Sequence, residues 1–375
     1  MKKVLYVSAN GFVGGAEKFL VNVAKVHNES GDAVHFLLFD DGNLVDELKN
    51  NGAAVTVLKN KFRLRNPFKL YLALREIRIF LKKHKFETIH STMGYSHLIM
   101  GLATIFSDMK RVWFQHGPIG GVVDYLASFF RVDILMFSSH YLKEKHYANF
   151  FLRKAKYGTK VVPLPVQYVA PKLTEGFALR KNLNLEGDYI LGMVGRITEG
   201  KGYHIAIKAF LGLNLENAKL VIVGSANKTN EKSYLESLKK IVERNGAEDR
   251  VIFVPHQNNV SVFYKIMNIY LNPVIIDEGF GLSVAEAMAA GVAVISSPYG
   301  GLSEFVKSNE TAEVVMAKES DAVESLKELI LKLKNNEILA KTLSKNAREL
   351  IESRFNFSQT YIALTDVYQF LDSLD

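Results

Sequence analysis

Short apolar runs alternate with longer amphipathic stretches along nearly the whole chain. Residues 4–7, 34–39, 55–58, 88–90, 112–115, 134–137 and 160–162 read as buried strands. Between them, residues 16–28 place Phe19, Leu20, Val23 and Val26 at helical spacing, residues 44–50 read as a short helix, and residues 70–85 read as a long basic one. Short apolar strands separated by helices imply parallel βαβ units with both faces covered. The period pauses between about residues 163 and 188, where Pro163, Pro165 and Pro171 fall, and an interdomain linker is expected there. Alternation then resumes. Strands are expected at 189–194, 219–223, 251–254, 269–272 and 292–296, with helices at 203–211, 232–245, 260–267, 282–290 and 322–334. The pattern predicts two α/β domains of similar size with a cleft between them, at 1–165 and 185–355, and no internal repeat.

Composition changes this picture little. At about 150 residues per domain, 375 residues fit two domains. Hydrophobic residues make up 48% and charged residues 23%, enough for proper cores. The absence of cysteine excludes disulfides and thiolate metal sites and fits a reducing cytosol. The apolar stretch 4–7 is too short for the core of a signal peptide and reads as the first strand. No run approaches the roughly 18 apolar residues that span a bilayer. The apolar segment 122–137 is interrupted by Asp124, Arg131 and Asp133.

Charge is more informative. The net charge is +8, and residues 59–85 hold ten Lys/Arg against one acidic residue, Glu76. Phe62, Leu64, Phe68, Leu70, Tyr71, Leu74, Ile77, Phe80 and Leu81 are interleaved with these cations. A second basic and aromatic stretch, 141–160, carries Lys143, Lys145, Arg153, Lys154, Lys156 and Lys160 with Tyr147, Phe150, Phe151 and Tyr157. Each could be a solvated helix face over core. Two in one domain favour an anionic membrane surface as partner. No nucleic-acid-binding module accompanies the charge.

The candidate chemistry lies at strand-to-helix junctions, where helix amides and dipole favour anions. In open α/β sheets ligands bind outside the carboxyl ends of the strands. Gly11, Gly14 and Gly15 form a GxxGG turn after the first strand, either a tight turn or a close approach to a ligand. Gly195 to Gly202 reads GRITEGKG, with Arg196 and Lys201 as paired cations suited to a diphosphate. It is not a Walker loop, because Lys201 is followed by glycine. Glu278 precedes Gly279, Phe280 and Gly281, and Glu286 stands two turns into the following helix. Either carboxylate alone could be a cap or a surface charge. Together they span somewhat over 10 Å at about 1.5 Å per residue. A nucleotide sugar laid across the helix start fits that span. Its phosphates would meet the amides of Gly281, Leu282 and Ser283, its sugar Glu278 and its ribose Glu286. His116 ends a strand before Gly117 and Pro118, and His90 ends another. Gly300 and Gly301 begin a further turn that leads to Glu304. No metal-binding motif is present, and neither a metal ion nor a cofactor is expected.

These residues together resemble the family-4 retaining glycosyltransferases of the GT-B fold, over nearly the whole chain. The carriers are GGAE (14–17), GRITEGKG (195–202), EGFGLSVAEAMAAG (278–291), GGLSE (300–304) and SRFNFSQTYIALTDVY (353–368). The resemblance implies two Rossmann-like, doubly wound parallel-sheet domains facing a central cleft. It also implies a C-terminal helix, 356–375, crossing back to an acceptor-binding N-terminal domain. The donor would be a UDP- or GDP-sugar. Arg196 and Lys201 would stabilise the departing diphosphate, Glu278 would hold the sugar and Glu286 the ribose. His116 would line the reacting face, and Gly15 and Gly195 would approach the phosphates. Hexosyl transfer would be metal-independent and retaining, with the leaving phosphate deprotonating the acceptor. The acceptor would be a glycan or lipid-linked molecule in bacterial surface-glycan assembly (lipopolysaccharide, capsule or lipid-linked oligosaccharide). The protein would sit in the cytoplasm, peripheral on the inner face of the cytoplasmic membrane. Three positions depart from the family pattern. Pro163-Leu164-Pro165-Val166 replaces Asn-Gly, Pro255-His256 replaces a glycine, and Pro273-Val274 replaces Pro-Ser. A GT-B epimerase and a non-catalytic nucleotide-sugar-binding protein are the alternatives.

Overall fold

A computed structural model describes residues 3–29, 34–118, 120–149 and 155–374. Four members of the second basic stretch, Phe150, Phe151, Arg153 and Lys154, lie outside the described residues. The chain forms two compact units, residues 1–165 with 357–375 and residues 166–356.

The first unit contains β1 (Val4–Ser8), α1 (Gly15–Glu29), β2 (His35–Leu38), α2 (Asn43–Asn50), β3 (Ala54–Val57), α3 (Pro67–His84) and β4 (Thr88–Thr92). It continues with α4 (Met93–Ala103), β5 (Lys110–Gln115), α5 (Val122–Ser128), β6 (Ile134–Phe137), α6 (His140–Tyr147) and β7 (Thr159–Val161). Its seven strands are all parallel, in the order β3-β2-β1-β4-β5-β6-β7. The order reverses between β1 and β4, where Tyr6 pairs with His90. Buried Leu5, Val7, Leu37, Ile77, Ile89 and Ile99 form one core cluster, and Trp113, Leu135, Phe137 and Leu142 form another.

The second unit contains α7 (Leu173–Asn182), β8 (Tyr189–Val194), α8 (Tyr203–Gly212), β9 (Ala218–Val223), α9 (Thr229–Arg244), β10 (Val251–Val254) and α10 (Ser261–Ile266). It continues with β11 (Ile269–Asn272), α11 (Leu282–Ala289), β12 (Ala293–Ser296), β13 (Glu313–Val314), α12 (Ala322–Asn335) and α13 (Glu337–Arg354). Its six parallel strands run β10-β9-β8-β11-β12-β13, the same relative order, reversing between β8 and β11. Both sheets are therefore doubly wound, and each has one switch point where ligands are expected.

α14 (Phe357–Asp372) returns to the first unit. Thr360, Leu364, Val367, Tyr368 and Leu371 are its buried stripe, spaced for one helix face. The Thr360 hydroxyl donates to the Pro163 carbonyl at 2.8 Å, and the Tyr368 hydroxyl meets the Tyr6 hydroxyl at 2.9 Å.

Two differences from the expected elements have physical causes. The stretch expected as linker carries α7, which buries only Gly176 and leaves Leu173 and Phe177 exposed. Such a helix shows no apolar period. It is held instead through Arg180, whose guanidinium donates to the carbonyls of Leu185, Asp188 and Ile266. α4 escapes detection for the opposite reason: it is buried on nearly every side, from Gly94 to Ala103.

Candidate functional site

The loops that follow β8 and β11 flank the switch point of the second sheet. Gly195 leaves β8 with φ +150° and Gly202 closes the loop at φ +70°. A side chain on Gly202 would run into the Pro273 carbonyl, so the two loops lie backbone against backbone. The Ile275 amide donates to the Gly200 carbonyl at 2.9 Å and fastens them together. The contact brings Lys201 Nζ to 2.6 Å from Glu278 Oε1, with side chains 23% and 16% exposed. The attraction is electrostatic, and Oε1 is buried with no partner of hydrogen-bonding geometry among the described residues.

A third loop supports Glu278 from below. Gly300, at φ +72°, lies so close to the Glu278 backbone that any side chain would collide with it, and the Gly301 amide donates to the Glu278 carbonyl at 2.8 Å. The two glycines of the GGLSE turn are therefore required by close packing. Lys318 Nζ reaches Asp277 Oδ1 at 3.1 Å while sitting 4.1 Å over the Tyr299 ring, a second fastening of the same loop.

Gly281, at φ +95°, turns the chain into α11, and as a glycine it supplies no side-chain cap to this helix start. The first amides of a helix have no intrahelical acceptor, so those of Leu282 and Ser283 present positive dipole ends beside Glu278. Phe280 is 4% exposed and packs against Phe305 and Phe355 at 5.4 and 5.2 Å between ring centroids. Its side chain anchors the loop in the core, which leaves only its backbone to face a ligand. One turn on, Glu286 Oε2 accepts from the buried Tyr264 hydroxyl at 3.1 Å.

Arg196 is 60% exposed and stands 3.8 Å from Glu231 Oε1. Glu231 is buried, and its Oε2 accepts from the amides of Asn227 at 2.8 Å and Lys228 at 3.1 Å. Burial raises its pKa, but the two amides and Arg196 outweigh that and hold the carboxyl below its usual range.

In the first unit, His116 follows β5 and is 8% exposed, with its ring against Phe114 and Phe19. Neither ring nitrogen has a hydrogen-bonding partner among the described residues, and burial lowers its pKa to about 3. His90 is wholly buried, with Nδ1 2.6 Å from the Tyr368 hydroxyl; burial, then His116, lowers its pKa to about 3. Met93 follows β4 with φ +67°, and its Sδ accepts from the His116 amide at 3.4 Å. Gly15 begins α1 with open space where a side chain would stand. Gly11 differs, because it is pressed against the Asp41 backbone.

The structure thus gathers Gly195, Lys201, Glu278, Gly279, Phe280, Gly281, Leu282, Ser283 and Glu286 around one switch point. It sets Arg196 beside Glu231, and places Gly15 and His116 in the first unit. Residue patterns alone missed Glu231, Tyr264 and Met93. None of the three had a legible signal: even Glu231, whose carboxylate accepts from the Lys228 amide at the start of α9, stands three residues after a lysine and not after a capping side chain.

Comparison with known proteins bears on the family and the fold. Residues 176–350 match the family model of glycosyl transferases group 1, and residues 13–158 match that of Glycosyltransferase Family 4. The chain is 29% identical over 188 residues to the lipopolysaccharide core biosynthesis mannosyltransferase LpcC of Rhizobium leguminosarum bv. viciae, a match covering 50% of this chain and 52% of that one. The chain thus spans about half the length of that relative. An uncharacterized glycosyltransferase of Haemophilus influenzae is 26% identical over 356 residues, 92% of this chain and 94% of its own. The crystal structure of Anabaena HepE in complex with UDP and glucose superposes with a TM-score of 0.85 at 20% identity, over 100% of both chains. With two doubly wound parallel sheets and both halves matched, the chain belongs to the family-4 glycosyltransferases of the GT-B fold.

Proposed function

We propose that this glycosyltransferase is retaining and metal-independent, and moves a hexosyl group from a UDP- or GDP-sugar to an acceptor hydroxyl in bacterial surface-glycan assembly. The observation that carries the reading is the Lys201–Glu278 pair beside the uncapped start of α11. A cation, a carboxylate and free helix amides at one switch point suit a sugar diphosphate better than a neutral ligand.

In this reading the anomeric C–O bond to the diphosphate breaks and its electron pair stays on phosphate oxygen. Lys201, Arg196 and the amides of Gly281, Leu282 and Ser283 stabilise that developing charge, a contribution of the kind that dominates when no protein nucleophile attacks. They supply the positive charge that a metal ion would otherwise bring. The acceptor oxygen bonds to the anomeric carbon on the same face, and its proton passes to the leaving phosphate. Glu278 accepts from sugar hydroxyls while it holds Lys201 in place. Glu286 accepts from the ribose diol. His116, neutral and ringed by aromatic groups, keeps the role at the reacting sugar that the resemblance implies, and Gly15 the close approach to phosphate. The lipopolysaccharide relative supports a glycan or lipid-linked acceptor.

The anionic membrane surface belongs to the same proposal. Phe68, Tyr71 and Ile79 of α3 are 69%, 58% and 61% exposed, in one helical stripe with exposed Arg75 and Lys82. Apolar groups at the acyl boundary with cations among headgroups suit a helix lying on the inner face of the cytoplasmic membrane. No helix among the described residues is long and apolar enough to cross one.

The test has two arms. UDP-, GDP- and other nucleotide sugars are screened for thermal stabilisation, and the product of the stabilising donor is analysed for anomeric configuration with chelator present. Inverted product, or turnover abolished by chelator, refutes the mechanism. Unchanged turnover in Glu278→Ala and Lys201→Ala refutes the site. Vesicle sedimentation with anionic lipid, unaffected by charge reversal at Lys82 and Lys83, refutes the membrane partner.

A further inference from the structure

Tyr264 on α10 is fully buried, yet it keeps a hydroxyl where phenylalanine would fill nearly the same volume. A buried hydroxyl needs a partner, and both of its partners lie on α11. Its oxygen stands 3.2 Å from the Ser283 carbonyl and 3.1 Å from Glu286 Oε2. One proton serves both acceptors, so the contact ties the carboxylate to the first turn of its own helix. A glutamate has three rotatable bonds, and this tie selects among their combinations.

The neighbouring tyrosines act differently. Tyr270 on β11 donates to the Val194 carbonyl at 3.1 Å, and Tyr203 on α8 donates to the Gly195 carbonyl at 3.0 Å. Those two hydroxyls brace the backbone that leads into the Arg196 loop. Tyr264 is the one of the three that bonds a candidate ligand-binding carboxylate among the described residues. Glu278 is held by a cation, Lys201, whereas Tyr264 holds Glu286 with a neutral donor. A neutral donor orients the carboxylate without adding a counter-charge of its own.

We propose that Tyr264 is a positioning residue that sets Glu286 for the ribose diol of a nucleoside diphosphate, and so sets the preference for ribose over deoxyribose. The proposal rests on the reading of Glu286 given above. A site built to accept hydrogen bonds from a ligand rejects an analogue that lacks the hydroxyls, provided the acceptor is held in place.

The test is titration calorimetry of the full chain with UDP and GDP, and with the 2′,3′-dideoxy counterpart of whichever binds. Tyr264→Phe should weaken the ribonucleotide roughly tenfold and leave the dideoxynucleotide within about twofold. Glu286→Ala should abolish the discrimination. Tyr270→Phe, an equal loss of one buried hydroxyl, should shift both nucleotides together. Melting temperatures confirm that each variant is folded. If Tyr264→Phe weakens both nucleotides equally, or neither, while Glu286→Ala removes the discrimination, the positioning role is overturned and the ribose role of Glu286 stands. If Glu286→Ala leaves the discrimination intact, the ribose reading itself fails and takes the proposal with it.

Discussion

The Lys201–Glu278 pair makes a prediction that separates stability from turnover. Lys201→Ala leaves the largely covered Glu278, 16% exposed, with a buried Oε1 and no cation beside it. Breaking a fully buried pair costs 3–5 kcal/mol and an exposed pair at most about 1. With roughly a fifth of each side chain in solvent, a screened cost of about 2 kcal/mol is expected. Glu278→Ala is cheaper, about 1 kcal/mol, because the lysine stem can carry its ammonium into water. The double variant should cost about 2 kcal/mol, so that the two changes couple by about 1 kcal/mol instead of adding. Denaturant unfolding of all four proteins at low and high salt measures this, and the coupling should shrink with salt. Turnover should behave otherwise. Each single variant should lose about a hundredfold in kcat/KM, with no recovery in the double. Additivity within about 0.3 kcal/mol would refute the pairing. Recovery of turnover in the double variant would confine the pair to a structural role.

Phe280→Ala should cost about 3–5 kcal/mol, because it empties the centre of the cluster with Phe305 and Phe355; a loss below about 1 kcal/mol would contradict that placement. Gly300→Ala should destabilise by more than Gly291→Ala in the same unfolding assay. Both have positive φ, but only Gly300 faces the Glu278 backbone, while Gly291 faces open space. Stability should fall with acid through His90 and His116, whose pKa values are lowered to about 3 by burial. The unfolded chain binds these protons near pH 6.5 and the folded one does not. Each contribution is therefore full above about pH 6.5 and is lost as pH falls toward 3, at about 2 kcal/mol per histidine between pH 7 and 5. His116→Leu should flatten this slope by about one proton, and an unfolding midpoint that ignores pH would refute the neutral burial.

What was legible beforehand is local in sequence. Gly202, Gly281 and Gly300 announce themselves because a positive φ or a close backbone approach is a demand on one residue. Strand–helix alternation shows the layers for the same reason. Pairing is not local. Arg196 follows β8 and Glu231 opens α9 after β9, so they meet only because β8 and β9 are neighbours. Tyr264 reaches Glu286 only because β11, which follows α10, lies beside β12, which follows α11. The motif sets Phe280 among candidate ligand residues, yet its side chain belongs to the core. Its partners, Phe305 and Phe355, come from later segments that nothing in the EGFG motif reveals.

The two sheets share one strand order and differ at their carboxyl ends. Near its switch point the first sheet gathers Tyr6, His90 and Tyr368, with Phe114 packed between His90 and His116. Burial lowers the pKa of both histidines to about 3, so this buried cluster carries no histidine charge at neutral pH. The second sheet gathers Lys201, Glu278 and an uncapped helix start. An anion gains little over neutral imidazoles and much over a helix N-terminus with a lysine beside it. The same topology therefore builds two different environments, a buried aromatic cluster in the first unit and a charged strand-end site that favours phosphate in the second. Replacing Lys201 removes charge from the second without touching the first. Donor affinity should fall for every nucleotide sugar alike, and a variant that lost one donor's binding while keeping another's would show that base or sugar contacts, not diphosphate charge, dominate there.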